Sequence, residues 1–324
     1  MRFIVYGAGA VGGPIAVRLA QHGIDVVAIA RGEHARVTAD RGLRLETPDE
    51  TVTVRLPVVT DPSEIEFHPD DVVLICVKTQ NTAEVLARLA VSMPWETPVV
   101  CAQNAVCNEP AALRLFPNVY GMNMMIMGTH MTPGEVQVFT GPCTGILDLG
   151  RYPSGVDNTA RAIAASLVAA GFVCEPQDDI MRWKYGKLLL NLVNACEVAV
   201  GPGQGYLEAF HAARQEGETV LRAAGIPFST RQEDAARRAG LLEVRKIGER
   251  DRGGASTWQS IERGLGSAET DYLTGEIVLL GRQHGVPTPI NTFLQRFVHR
   301  VLQGEAQPSS FTNESLLATI AAGG

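Results

Sequence analysis

Two sets of residues in this chain have the types and spacing that chemistry could use. The first is Gly7-Ala8-Gly9-Ala10-Val11-Gly12, between an apolar stretch at residues 2–6 and a stretch at 12–22 with apolar residues at helical spacing. G-x-G-x-x-G between a strand and a helix has a mechanical meaning. Gly7 permits the tight turn, Gly9 lets the backbone approach a pyrophosphate, and Gly12 lets helix and strand pack closely. The phosphates then sit at the helix N-terminus, where unpaired N–H groups and the dipole favour anions. The expected ligand is a dinucleotide, held by Gly7, Ala8, Gly9, Ala10, Val11 and Gly12.

The end of the next strand selects among dinucleotides. Gly23 closes the helix, and residues 25–30 read as a second strand running into Arg31. Asp or Glu at that place hydrogen-bonds a ribose 2′-OH, whereas Arg accommodates a 2′-phosphate. Asp25 opens the strand instead of ending it and is badly placed for the ribose. Arg31 therefore points to NADP(H); its alternative is a solvated loop charge.

The second set lies on residues 180–200, IMRWKYGKLLLNLVNACEVAV. At 100° per residue, Asn191 falls about 40° and Asn194 about 20° from Lys187, on opposite sides, and Lys184 about 60° away. Leucines and valines cover most of the remaining circumference, as in a buried helix. A lysine and two asparagines cannot be buried there unpaired, so the stripe is expected to line a cleft; otherwise it faces bulk solvent. Hydride transfer to a ketone builds an alkoxide, which needs a positive charge and a proton. A desolvated lysine can act as that acid near neutral pH, which makes Lys187 the candidate, with the asparagines orienting the substrate.

The elements that must position these groups alternate. After Arg31, residues 32–41 read as a helix, then 43–47 and 51–59 as two strands around Pro48-Asp49-Glu50. Residues 71–77 (DVVLICV) are a doubly buried strand ending at Lys78-Thr79-Gln80, followed by a helix over 81–93. Residues 98–102 form another strand ending at Gln103-Asn104. Such alternation means a parallel, doubly wound sheet, whose ligands bind beyond the carboxyl ends of the strands. Gly7, Arg31, Lys78 and Asn104 all lie at such ends. Lys78 could hold a cofactor phosphate or ribose or a substrate carboxylate, or be merely exposed. Asn104 could bond the nicotinamide ribose or the substrate, or merely cap the next helix.

Residues 119–149 are strand-like and turn-rich, 157–170 a helix with Asp157 as N-cap, and 172–175 a last strand. The boundary is expected at Pro176-Gln177-Asp178-Asp179, giving a Rossmann domain at 1–177 and an all-helical domain at 178–324. Helices are expected there over 179–200, 204–224, 230–247, 255–263, 267–284 and 289–303, with a short docking helix at 316–322.

The totals bound the class. A chain of 324 residues suggests two domains, and 45% hydrophobic with 19% charged residues is ordinary for a soluble globular protein. A net charge of -7 offers no footprint for nucleic acid or an anionic membrane. No apolar run reaches spanning length. The opening MRFIVYGAGAVG is expected to serve the nucleotide turn, not a signal peptide. Six dispersed cysteines without C-x-x-C spacing suggest reduced thiols and the cytoplasm, and seven dispersed histidines suggest no metal site.

Taken together, the sequence resembles the ketopantoate reductase (2-dehydropantoate 2-reductase) family over nearly its whole length. The residues that carry this are GAGAVG, Arg31, VKT at 77–79, QN at 103–104, WKYGKLLLN at 183–191, STW at 256–258, AETDYLTGEI at 268–277 and HGVPTP at 284–289. The resemblance implies a Rossmann domain and a helical domain with the active site between them, NADPH as cofactor and a homodimer. It assigns the general acid to Lys187, substrate orientation to Asn191, and cofactor and substrate contacts to Lys78 and Asn104. It further assigns a carboxylate-contacting hydroxyl to Thr257 or Ser256 and the substrate-hydroxyl contact to Glu269. The residues alone read Glu269 as a surface carboxylate and Ser256 and Thr257 as helix N-caps.

Three departures bear on the substrate. The family's Q-N-G-x-G is Gln103-Asn104-Ala105-Val106-Cys107 here, its second asparagine is Ala195, with Asn194 about 100° round the helix, and the following proline is Cys196. The expected function is NADPH-dependent reduction of a 2-oxoacid, ketopantoate to pantoate in pantothenate biosynthesis. The alternatives are a paralogue acting on another 2-oxoacid and a non-catalytic NADPH-binding sensor, with an FAD-dependent oxidase disfavoured by Arg31.

Overall fold

The structure, a computed structural model, describes residues 1–203 and 205–323. The chain forms two compact units. The first contains Met1–Gln103, Cys107–Lys184 and Arg231–Arg252; the second contains Asn104–Val106, Tyr185–Thr230 and Gly253–Gly324.

The first unit opens with β1 (Arg2–Tyr6), α1 (Gly12–Gln21), β2 (Val26–Ile29) and α2 (Gly32–Arg41). A hairpin of β3 (Leu43–Glu46) and β4 (Thr51–Val54) follows, then β5 (Val58–Val59), β6 (Asp71–Ile75), α3 (Thr82–Ser92), β7 (Val99–Cys101) and α4 (Asn108–Leu113). It continues with β8 (Val119–Met125), β9 (Gly128–Thr129), β10 (Glu135–Val138), β11 (Thr140–Pro142), β12 (Ile146–Arg151) and α5 (Asn158–Ala169). Seven strands form the main sheet in the order β12-β8-β7-β6-β1-β2-β5, parallel except for β12. The chain leaves β1 for β2 on one side and returns to β6 on the other. That reversal makes the carboxyl ends of β1 and β6 the switch point at which such sheets bind ligands.

The continuous apolar runs seen in the sequence follow from this burial. Phe3, Val5, Val72, Leu74 and Val100 fill the core under α1 and α5, while Ile4, Val73, Ile75, Val99 and Cys101 fill the opposite one. Asp157 caps α5 as expected, accepting from Ala160 N–H at 2.8 Å.

Several expected elements differ. The single strand expected over 51–59 divides at Pro57: β4 joins a small sheet, β4-β3-β10-β9, and β5 joins the main one. The strand expected at 172–175 is reduced to two bridges, Ile146 with Val173 and Leu149 with Pro176.

The second unit is helical. The stretch expected as one helix over 179–200 is two, α6 (Ile180–Asn191) and α7 (Val193–Val200), and α6 begins in the first unit. Next come α8 (Leu207–Ala223), whose expected start at Gln204 lies outside the described residues, and α9 (Arg231–Arg238). The helix expected over 230–247 stops there, because β13 (Leu242–Val244) pairs antiparallel with β11. Residues 231–252 thus fold with the first unit, unlike a single division after residue 177. The second unit resumes with α10 (Ser256–Glu262), a 3-10 turn at Glu269–Tyr272, α11 (Thr274–His284), α12 (Pro289–Leu302) and α13 (Asn313–Ala321). Its core gathers Ala195, Cys196, Val198, Ala213, Leu294 and Val298.

Candidate active site

The glycine turn has the geometry a diphosphate needs. Gly7 has φ +102°, which only glycine adopts cheaply. A Cβ on Gly12 would lie 2.2 Å from the Gly7 carbonyl oxygen and 2.8 Å from Val5 Cγ1, so only glycine lets α1 rest on β1. Around Gly9 the space is open: among the described residues, the nearest atom to an added Cβ is His130 Cδ2, 3.9 Å away. The residues fit a dinucleotide: tight where helix meets strand, open where phosphates would approach.

The small sheet buttresses this turn, a feature the sequence motif does not contain. A Cβ on Gly128 would fall 1.9 Å from the Ala10 carbonyl oxygen, so β9 lies directly against the turn. From α2, His34 reaches the same turn. Gly134 N–H donates to His34 Nδ1 at 2.9 Å, so the proton sits on Nε2, which donates to the Ala8 carbonyl at 2.8 Å. His130 packs against His34 with ring centroids 4.2 Å apart.

Arg31 lies two residues beyond β2 and is exposed, and its Nη2 lies 3.1 Å from Glu84 Oε1. The Tyr6 hydroxyl and then Glu84 hold the guanidinium's pKa above its ordinary value. The sequence does not point to Glu84 as a neighbour of Arg31, since 53 positions separate the partners. Lys78 follows β6, half-buried.

Asn104, half-buried, follows the end of β7. It does not cap α4, which starts at Asn108. The preceding Gln103 is pinned: its Nε2 donates to the Val77 carbonyl at 2.9 Å and to Thr82 Oγ1 at 2.8 Å. Its carbonyl accepts from Lys184 Nζ at 2.8 Å, and that ammonium also lies 2.5 Å from Glu109 Oε1. Lys184 and Glu109 are both buried, and burial pushes the Glu109 carboxyl above the ordinary range against the pull of Lys184.

In the second unit, Lys187 and Asn191 stand one turn apart on α6. Lys187 is half-buried and Asn191 is 8% exposed. Asn191 Nδ2 is buried with no hydrogen-bond partner among the described residues, so a donor is held out of water with no described acceptor. Leaving such a group unmade costs about 1–3 kcal/mol, which a ligand acceptor would remove.

Asn194 lies on α7, beyond the break at Leu192, whose backbone stays in the right-handed helical region. There its Nδ2 donates to Ser256 Oγ at 3.1 Å. Glu197, one turn further on, accepts from Ala255 N–H at 2.6 Å and fixes the start of α10. Ala255 occupies the N-cap, so neither Ser256 nor Thr257 caps that helix. Thr257 and Glu269 are both buried, and Glu269 opens the 3-10 turn. The expected surface carboxylate is thus an interior one. The glycine turn, Arg31 and Lys78 belong to the first unit, and Asn104, Lys187, Asn191, Asn194, Ser256, Thr257 and Glu269 to the second, where Asn194 meets Ser256.

The profile described as Ketopantoate reductase PanE/ApbA matches residues 3–154, and that described as Ketopantoate reductase PanE/ApbA C terminal matches 179–302. The 2-dehydropantoate 2-reductase of Archaeoglobus fulgidus is 27% identical over 319 residues, covering 94% of this chain and 98% of the relative. That of Pyrococcus horikoshii is 25% identical, covering 92% and 96%. The crystal structure of a PanE/ApbA family ketopantoate reductase from Ralstonia eutropha superposes with a TM-score of 0.79 at 27% identity, over 94% of this chain and 99% of that one. D-mandelate dehydrogenase, in its ternary structure with NADH and anilino(oxo)acetate, shares the fold with a TM-score of 0.78 at 24% identity, over 94% and 99%. The chain belongs to the ketopantoate reductase family, oxidoreductases that act on CH–OH groups.

Proposed function

We propose that this protein reduces a 2-oxoacid, first of all ketopantoate to pantoate in pantothenate biosynthesis, with NADPH. The observation that carries the reading is the pairing of Lys187 with Asn191, whose buried Nδ2 lacks an acceptor. A reduced nicotinamide, when bound, supplies hydride to the carbonyl carbon. The glycine turn holds its diphosphate at the start of α1, and Arg31 takes the 2′-phosphate. Lys187 Nζ gives its proton to the oxygen that becomes an alkoxide, and Asn191 Nδ2 donates to the substrate to orient it. Ser256, positioned by Asn194, and Thr257 meet the substrate carboxylate, and Glu269 accepts from a substrate hydroxyl. Lys78 and Asn104 contact cofactor and substrate.

Identity to curated 2-dehydropantoate 2-reductases over almost their full length supports ketopantoate as the first substrate to try. Ala105, Cys107, Ala195 and Cys196, standing where the family's pattern has other residues, support a second reading, a paralogue for another branched or hydroxylated 2-oxoacid. The proposed setting is the cytoplasm, as a homodimer. Among the described residues no disulfide joins the six cysteines, and no helix is long and apolar enough to cross a membrane.

The test follows NADPH absorbance as purified protein meets ketopantoate and, separately, a panel of 2-oxoacids. Fast oxidation with ketopantoate alone supports the first reading, and a faster panel member supports the paralogue. No oxidation with any of them contradicts both and leaves a nucleotide-binding sensor.

A further inference from the structure

The Lys184–Glu109 pair is not among the residues to which the reaction above assigns a role, yet it has an unusual amount of structure built around it. Both side chains are almost fully excluded from water, at 1% and 0% exposure. Lys184 Nζ faces three oxygens: Glu109 Oε1 at 2.5 Å, the Gln103 carbonyl at 2.8 Å and the Cys101 carbonyl at 3.4 Å. The two carbonyls accept hydrogen bonds from Lys184 Nζ, and Glu109 meets it as an ion pair. Gly121 on β8 makes room for the pair. A Cβ there would lie 3.3 Å from Glu109 Oε1 and 3.4 Å from Lys184 Cδ, although its backbone is not in the left-handed region.

The placement of the pair along the chain gives it meaning. Gln103 immediately precedes residues 104–107, and Glu109 lies just beyond them, in the first turn of α4. One ammonium therefore ties down both ends of the segment that carries Asn104. On its other side, Lys184 stands one helical turn before Lys187 on α6. Burying an ion pair is poor economy for stability alone, since apolar residues of similar volume often serve as well or better. Its advantage is direction: it fixes one geometry among several that an apolar contact would tolerate.

We infer that Lys184 and Glu109 form a positioning pair for the reductase reaction, clasping the segment that carries Asn104 and registering the helix that carries Lys187. The inference rests on the roles proposed above for Asn104 and Lys187. The described polar contacts of Lys184 are with Glu109 and the Gln103 and Cys101 carbonyls, so the pair acts on geometry and not on proton transfer. Misplacement of reacting groups by about an ångström can cost up to about 100-fold in rate, which sets the scale of the expected effect.

The experiment compares the parent with the double variant Lys184→Met/Glu109→Leu, which removes both charges and leaves neither buried alone. Expected are a Tm close to the parent's and an unchanged Kd for NADPH. The kcat should be lower by about tenfold or more, with the pH of its ionisations unmoved, because Lys187 is intact. Amide exchange over 104–107 should quicken by about tenfold or more, as local opening becomes easier. A double variant with parental kcat and parental exchange in that segment overturns the inference and leaves the pair a packing feature. Should the double variant not fold, Gly121→Ala, which pushes on the pair without removing charge, reads the same two quantities against the same outcomes. A parent that turns over no 2-oxoacid contradicts the reductase reading. Exchange over 104–107 then decides the clasp by itself: faster in the variant upholds it, unchanged overturns it.

Discussion

Arg31, just beyond β2, and Glu84, on α3, meet with Nη2 and Oε1 3.1 Å apart, at the place the proposed reading gives the 2′-phosphate of NADPH. Arg31 holds the Glu84 carboxyl below its ordinary pKa, so Glu84 stays charged at neutral pH. Both side chains are about half exposed, and exposed pairs of this kind are weak. A 2′-phosphate must therefore take Arg31 from a carboxylate that also repels it. On the proposed reading, preference for NADPH is set by a contest between these two residues, not by Arg31 alone.

Arg31→Ala is expected to weaken NADPH binding about tenfold or more while leaving NADH nearly unchanged, the scale of a lost charge-assisted hydrogen bond. Glu84→Gln should act oppositely and tighten NADPH by a few-fold. Titration of nicotinamide fluorescence checks both. Equal losses for the two dinucleotides in Arg31→Ala contradict the 2′-phosphate role.

The two turn glycines should separate folding from binding. Gly12→Ala places a Cβ 2.2 Å from the Gly7 carbonyl oxygen and should lower the melting temperature. Gly9→Ala meets no described protein atom closer than 3.9 Å, so it should melt like the parent yet bind NADPH poorly. Thermal melts with and without NADPH read both; tight NADPH binding by Gly9→Ala would move the diphosphate elsewhere.

Lys187→Ala is expected to lower kcat by about 100-fold or more, as for a lost general acid, with NADPH affinity kept. Steady-state rates and a parallel cofactor titration check this. Unchanged turnover would remove Lys187 from the mechanism.

Asn191 offers a trade between stability and activity. Asn191→Leu removes a buried donor that has no partner and should raise stability by up to about 1 kcal/mol. The same variant should lose about tenfold or more in kcat/KM, since the substrate loses a hydrogen bond in a polar site. Urea unfolding and steady-state rates measure the two effects. A stabilised variant with parental kcat/KM would assign the amide no part in catalysis.

What the sequence made legible was local. The strand-turn-helix from β1 to α1 follows from three glycines within six residues, and the alternation up to β7 follows from apolar runs. Long-range pairing was not legible. β13 is only Leu242–Val244, and it is a strand because β11, about a hundred residues earlier, accepts it. Residues 172–175 have strand-like composition, but β12 gives them only one bridge, at Val173, and a second just beyond, at Pro176. Lys184 showed itself only as a charge beside the Lys187 stripe. Its partner Glu109 lies 75 positions away, and periodicity holds no information over that distance. Glu84 and His34 went unnoticed because each makes sense only beside Arg31 or Ala8.

The most direct measurement uses NADPH deuterated at the transferring C4 position, mixed with the protein and ketopantoate, followed by mass analysis of the product. The expected product is pantoate carrying one deuterium at C2, formed by the parent and slowed severely in Lys187→Ala. Tightly bound NADPH that is never oxidised, or product formed without label, would contradict direct hydride transfer and with it the reductase reading.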